Sequence, residues 1–152
     1  EVFFVVCVSI AYVVSTIGRI KNLEECGMFS QKDIRQIQMA KSSICSGCLA
    51  LLEEAGLTLE NIDYLVLAGA FGNYIDIDNA LSIGLLPPVS REKIISIGNG
   101  AGQGVQSFLL DQSYRVRAKN IANNCIHVSL AENKKFMESY IKNMNFSVEE
   151  SL

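Results

Sequence analysis

The chain has 152 residues, 49% of them hydrophobic and 19% charged, enough for one domain that buries roughly two-thirds of its unfolded surface in a real core. Its net charge of −3, a pI near 5.2 and the absence of any run of Lys or Arg leave no electrostatic footprint for nucleic acid. Two prolines, no low-complexity tract and no repeat at solenoid spacing exclude a linker or an array.

The chain opens on Glu1 rather than Met, which reads as a fragment whose start lies upstream. It runs at once into Val2-Phe3-Phe4-Val5-Val6-Cys7-Val8-Ser9-Ile10-Ala11-Tyr12-Val13-Val14. The uncharged run at 2–18 is short for a membrane span and rich in β-branched residues, and it lacks the basic start of a signal peptide. One or two buried strands are predicted instead, then a polar connection through Arg19, Lys21, Glu24 and Glu25, and no membrane partner.

Ser30 and Asp33 form a variant of the capping box and open a long helix. Ile34, Ile37, Ile44, Cys48, Leu51, Leu52 and Ala55 recur along it at helical spacing, and Gly56 closes it as the residue past the C-cap. Lys41 sits on or beside this apolar stripe. Two roles are open to it: a stem that snorkels along the core edge to water, or a cation that reaches a bound anion or an adenine ring in a cleft.

Five cysteines form no ligand framework. Cys45 and Cys48 are a Cys-x-x-Cys inside the helix, Cys7, Cys26 and Cys125 stand alone, and His127 is the single histidine. A tetrahedral zinc or iron–sulfur site needs four convergent ligands, so reduced thiols in a cytoplasmic setting and no metal site are expected.

Tyr64-Leu65-Val66-Leu67-Ala68 reads as a strand buried on both faces, and Gly69-Ala70-Phe71-Gly72-Asn73 as the turn that ends it. Glycines at 69 and 72 permit φ > 0 and close approach of a ligand, and a helix after the turn would aim its N–H groups at phosphate or ribose oxygens. A tight packing turn has the same spacing, so both readings stand at this point. Asp76 or Asp78 caps the following helix, Gly84 lies just beyond its end, and Pro87-Pro88 stops it.

The run Glu92-Lys93-Ile94-Ile95-Ser96-Ile97 is predicted as a second central strand. It ends in Gly98-Asn99-Gly100-Ala101-Gly102-Gln103-Gly104, a second glycine-rich strand-to-helix junction. Each glycine inside a helix costs about 1 kcal/mol relative to alanine, so close helix packing, a ligand, or both must compensate. Val105, Phe108, Leu109 and Leu110 supply that helix's buried side. Further on, Ser113 is expected to cap a helix to about Asn120, with Arg115, Arg117 and Lys119 on a solvated face. Cys125-Ile126-His127-Val128-Ser129 is read as a short strand, Ser129 and Glu132 as the capping box of a last helix through Met144, and 147–152 as a frayed tail.

Four blocks in this order carry a resemblance: Ser30-Gln31-Lys32-Asp33-Ile34-Arg35-Gln36-Ile37-Gln38-Met39-Ala40-Lys41; Leu67-Ala68-Gly69-Ala70-Phe71-Gly72-Asn73-Tyr74-Ile75-Asp76; Asn79-Ala80-Leu81-Ser82-Ile83-Gly84-Leu85-Leu86-Pro87; and Ile97-Gly98-Asn99-Gly100-Ala101-Gly102. Together they resemble the C-terminal part of the reductive activators of corrinoid proteins. The resemblance implies an α/β fold that is one half of an actin-like ATPase (ribonuclease H-like, ASKHA), with a central mixed sheet flanked by helices. The implied organisation is an N-terminal piece at 1–29 continuing an upstream part of the fold, the C-terminal subdomain at 30–146, and a tail at 147–152.

The resemblance also implies a function. Family members use ATP to drive electron transfer that returns cob(II)alamin to cob(I)alamin for methyl transfer, with Mg, and they carry a [2Fe–2S] domain that this sequence does not contain. A corrinoid protein or its methyltransferase is the implied partner, with a homodimer possible. The implied cofactor-binding residues are Gly69, Ala70, Phe71, Gly72 and Asn73 beside the adenosine and Gly98, Asn99 and Gly100 at the hinge, to which the position of Lys41 on its helix adds a further candidate; no catalytic residue is assigned and the fragment alone is expected to be inactive. A non-catalytic docking or dimerisation domain is the alternative.

The turn supplies a test. Gly72→Val in the longer protein is expected to abolish ATP binding through steric exclusion and a disfavoured φ costing on the order of 1–3 kcal/mol. Calorimetry reads the binding, and thermal melting must stay cooperative and near the parent value; a folded variant with parent affinity would move the nucleotide away from this turn.

Overall fold

A computed structural model describes residues 3–6, 30–69 and 74–146. Three strands form one parallel sheet in the order β1–β2–β3, with β1 at Phe3–Val6, β2 at Tyr64–Ala68 and β3 at Ile94–Gly98. Parallel neighbours cannot be joined by a hairpin and need crossovers. Helix α1, Gln31–Glu54, lies in the first connection and helix α2, Ile77–Ser82, in the second.

Leu65, Val66 and Leu67 are all buried, as a continuous apolar strand paired on both sides requires. β3 departs from its expected central place. Among the described residues it pairs only with β2, Ile94 alone is buried, and Ile95 and Ile97 stay 39% and 40% exposed. Arg91–Lys93 form a 3₁₀ turn before the strand, and Lys93 Nζ donates to the carbonyl of Ile62 at 2.6 Å. All the described strands run parallel, so the antiparallel strand of a mixed sheet is not among them.

The helix boundaries follow their chemistry. Ser30 and Asp33 make the reciprocal capping box, and α1 ends in a Schellman motif. In that motif Gly56 takes φ +67° and the Leu57 N–H reaches the Leu52 carbonyl at 2.8 Å. α2 repeats the pattern: Asp76 caps the Asn79 N–H at 2.8 Å, Gly84 takes φ +71°, and the Leu85 N–H reaches Ala80 at 2.9 Å.

α1 is buried on two sides, which the single apolar stripe did not show. Ala40 and Ile44 enter the core with Leu65, Leu67, Ala80, Leu85, Leu86 and Ile94. Ile34, Ile37 and Leu51 of the expected stripe are only partly buried, and Ala55 is exposed. On another face Ser42 and Ser46, both fully buried, meet the last helix.

The C-terminal third departs most from expectation. α3 is Gly100–Leu110, and α4, Gln112–Asn124, is capped by Asp111 rather than Ser113: the Asp111 carboxylate accepts the Ser113 N–H at 2.8 Å. Asp111 has extended backbone between the two helices, which puts its short acceptor side chain within reach of that N–H. Residues 125–129 form no strand. Ile126 is 89% exposed, and an alternating run becomes a strand only where a partner strand takes up its hydrogen bonds.

α5 is Lys134–Lys142, capped by Asn133 through the Phe136 N–H at 3.0 Å, while Ser129 only opens a 3₁₀ turn at Leu130–Glu132. α5 lies antiparallel on α1. At one end Asn133 Nδ2 donates to Glu54 Oε1 at 2.8 Å and Lys135 pairs with Glu53; at the other Lys41 Nζ donates to the Asn145 carbonyl at 2.7 Å. Between them Ser42 donates to the Tyr140 carbonyl, and Ser46 is bonded by Ser139 at 3.2 Å and Asn143 at 2.9 Å.

Ser46→Leu tests this seam. It adds bulk at a fully packed contact and removes one of the two hydroxyls that accept from Asn143, so a loss of roughly 1–3 kcal/mol is expected in urea unfolding of the chain. A variant as stable as the parent would show that the seam does not hold α5.

Candidate functional site

Parallel strands of one sheet end at one edge, so the two glycine junctions open together. Gly69 and Gly98 end β2 and β3 with φ +97° and +63°, values that favour glycine, and the Gly69 N–H donates to the Gly98 carbonyl at 2.6 Å. The ladder slips just before them, from Leu67 opposite Ser96 to Ala68 opposite Gly98, leaving Ile97 unmatched. α3 starts at this edge, and Asn99 caps it through the Gly102 N–H at 2.9 Å.

The small residues here have distinct reasons. A Cβ on Gly100 would stand 2.8 Å from Ile97 Cδ1 and 3.8 Å from Ala68 Cβ, so the first turn of α3 rests on the strand ends. One on Gly102 would strike the capping side chain of Asn99 at 2.6 Å, whereas nothing lies within 4 Å at Gly104. Packing therefore accounts for Gly100 and Gly102, and the Gly69 amide is already engaged. What remains for a nucleotide is the backbone shape of the edge and the N–H groups and positive dipole end of α3. Gly69, Gly98, Asn99 and Gly100 are brought together; Ala70, Phe71, Gly72 and Asn73 lie outside the described residues.

Lys41 stands elsewhere. It is 2% exposed, so its head does not reach water as a snorkelling lysine would. Its ammonium donates to the Asn145 carbonyl and lies 5.1 Å from the centre of the Phe146 ring. It lines a cavity of about 550 Å³ with Cys45, Gly84, Leu86, Lys142 and Asn145, and none of Gly69, Gly98, Asn99 and Gly100 lines it. Burial holds the ammonium below its ordinary 10.5, opposed by Cys45. The wall from α5 was not visible in the sequence, although Ser42, Ser46 and Ala50, spaced by four, mark a face of α1 that accepts a close neighbour.

Cys45 and Cys48 are buried side chains of α1. Burial pushes both thiols up, Cys48 to about 12 with the neighbouring Cys45 adding to it, while Lys41 partly offsets the rise at Cys45. His127 is exposed in irregular backbone rather than in a strand. Among the described residues no three His, Cys, Asp or Glu side chains converge as a metal site would require, and no helix is long and apolar enough to cross a membrane.

A parallel sheet with glycine junctions at one edge, each leading toward a helix, defines a domain of the α/β class. Over residues 10–151 the chain matches the family described as the C-terminal domain of RACo, the ASKHA domain, and it belongs to that family. It is 43% identical over 119 residues to the corrinoid activation enzyme RamQ of Eubacterium limosum, a match covering 78% of this chain and 20% of that protein. It is 24% identical over 119 residues to the reductase of the Co(II) methylated amine-specific corrinoid protein of Methanosarcina barkeri, covering 77% and 22%. A solved structure of a reductive activator for a corrinoid, iron–sulfur protein superposes with a TM-score of 0.71 at 30% identity, covering 78% of this chain and 19% of that one. The chain thus spans about a fifth of the length of these relatives.

The thiols set a pH dependence. Cys48 holds its proton more tightly folded than unfolded, so its contribution is present below the ordinary 9.0 and is lost as pH rises toward 12. Lys41 acts in the opposite sense, because its lowered native pKa lets the folded chain shed a buried charge first as pH rises toward 10.5. Cys48→Ala is therefore expected to lose less stability than the parent between about pH 8 and about pH 10 in urea titrations. Equal losses would show that the Cys48 thiol is not held protonated by the fold.

Proposed function

We propose that this chain is the C-terminal ASKHA part of an ATP-dependent reductive activator, and that it forms the adenosine side of the nucleotide cleft. The observation that carries this is the shared edge, where Gly69 and Gly98 end adjoining strands, bond to each other, and lie beside the first turn of α3. In the longer protein the reaction is the one-electron reduction of a corrinoid cobalt from cob(II)alamin to cob(I)alamin, with ATP binding or hydrolysis coupled to it. The similarity to RamQ and to the solved reductive activator supports this reading. A [2Fe–2S] domain and Mg belong to the parts of the protein outside this chain, and the partner is a corrinoid protein or its methyltransferase in the cytoplasm.

Within this scheme the chain binds and orients. The open space at Gly104 and the first-turn N–H groups of α3 ahead of the capped Gly102 accept the nucleotide without displacing packed side chains. Lys41 has no part in this reading, since the cavity it lines takes nothing from Gly69, Gly98, Asn99 or Gly100.

A second reading, docking or dimerisation, is favoured by the apolar surface of α3, on which Val105, Leu109 and Leu110 are 58%, 64% and 87% exposed. One substitution separates the two. Ala101→Glu places a carboxylate in the first turn of α3, where it favours the helix by about 0.3–1 kcal/mol but repels phosphates. In the full-length protein ATP affinity is expected to fall at least about tenfold in calorimetry, as loss of one charge-assisted contact does, with the melting temperature held or raised. Unchanged affinity would take the nucleotide away from α3 and leave the docking reading.

A further inference from the structure

The cavity at Lys41 has a composition that the nucleotide edge does not use. Two of its lining residues are lysines, Lys41 and Lys142, and none is a carboxylate; Leu81, Leu86 and Pro88 add an apolar wall. Its volume of about 550 Å³ falls within the ordinary range for small-ligand sites.

Lys41 is the unusual member. A buried ammonium is costly unless its charge is compensated. Among the described residues no carboxylate stands at its Nζ, and the compensation comes from one carbonyl, Asn145 at 2.7 Å, and one ring face, Phe146. An ammonium has three N–H donors, and among the described residues one is taken by a hydrogen bond and one side faces the Phe146 ring, which leaves donor capacity for a group entering the cavity. Two of the carbonyls at the end of α2 are occupied by the chain itself: Ala80 accepts from Leu85 at 2.9 Å and Leu81 from Gly84 at 3.0 Å. Lys142, in the last turn of α5, adds a second, solvent-exposed cation at the wall.

We propose that this cavity is a second ligand site, separate from the nucleotide edge, which takes a small oxyanion, a phosphate or carboxylate group, between Lys41 and Lys142, with any apolar part of the ligand against Leu81 and Leu86. The lowered affinity of the Lys41 ammonium for its proton agrees with a charge that lacks a full counter-ion. The site goes beyond the proposed activator function, since it stands whether or not ATP binds at α3.

Inorganic phosphate is the probe, titrated into the intact chain by calorimetry and by amide chemical shifts. Saturable binding of one phosphate is expected, with shifts at Gly84, Lys142 and Asn145. Lys41→Met should weaken it at least about tenfold, as loss of a charge-assisted hydrogen bond does. Because that substitution also removes the Asn145 contact and can loosen α5, Lys142→Glu is the second variant: it alters an exposed side chain, its melting must stay cooperative although a carboxylate in the last turn of α5 lowers it slightly, and it should weaken phosphate by a similar factor while ATP affinity stays at the parent value. No saturable binding, or a folded Lys142→Glu chain that binds phosphate as the parent does, would overturn the proposal. So would stoichiometric displacement of phosphate by ATP together with loss of phosphate binding in Ala101→Glu, because the oxyanion would then belong to the nucleotide edge. Loss of ATP binding in Ala101→Glu with phosphate binding intact would support two separate sites.

Discussion

The structure depends on α1 being buried on two faces at once. Toward the sheet it offers Ala40 and Ile44, which join Leu65, Leu67 and Ile94 in the core. Toward α5 it offers Ser42 and Ser46, whose hydroxyls bond the Tyr140 carbonyl and the side chains of Ser139 and Asn143. Small residues on that second face let two helices approach closely, and the hydroxyls satisfy polar groups that would otherwise be buried at a cost of about 1–3 kcal/mol each. Among the described residues no buried side-chain polar atom lacks a partner.

From that central helix the two candidate sites diverge. The glycine junctions belong to the strands, and their common edge follows from parallel pairing through crossovers rather than from any side chain. The cavity belongs to the helices, since α1 supplies Lys41 and Cys45, the end of α2 supplies Leu81 and Gly84, and α5 supplies Lys142. Separate elements build the two places, so a change in one need not alter the other, and a single nucleotide is not required to account for both.

The same division bears on the exposed apolar surface. β3 and α3 leave Ile95, Ile97, Val105 and Leu109 open, and α5 leaves Met137 and Ile141 open as well. Exposed apolar surface of this kind fits a domain whose aligned part is about a fifth of the length of its relatives. Arg115 partly shields α3: its side chain lies over the Phe108 ring at 5.7 Å and donates to the Phe108 carbonyl at 3.0 Å.

Much was legible from local chemistry. The Ser30 cap, the glycine ends at 56 and 84, the Asp76 cap and strand β2 follow from residues within a few positions of one another, because caps and positive-φ glycines are set by short-range geometry, and the common edge of the two glycine junctions follows from the crossover rule for successive parallel strands. The order of four motifs carried the family. Where local signals competed, the reading failed: Asp111 rather than Ser113 caps α4, Asn133 rather than Ser129 caps α5, and 125–129 is not a strand, since several acceptors stood close together and an alternating run does not reveal whether a partner strand exists. Only the tertiary structure decided that Lys41 is enclosed rather than solvated. Its burial comes from Asn145 and Phe146, more than a hundred residues away, and a contact across that separation is set by how α5 packs on α1, which no local pattern in the sequence encodes.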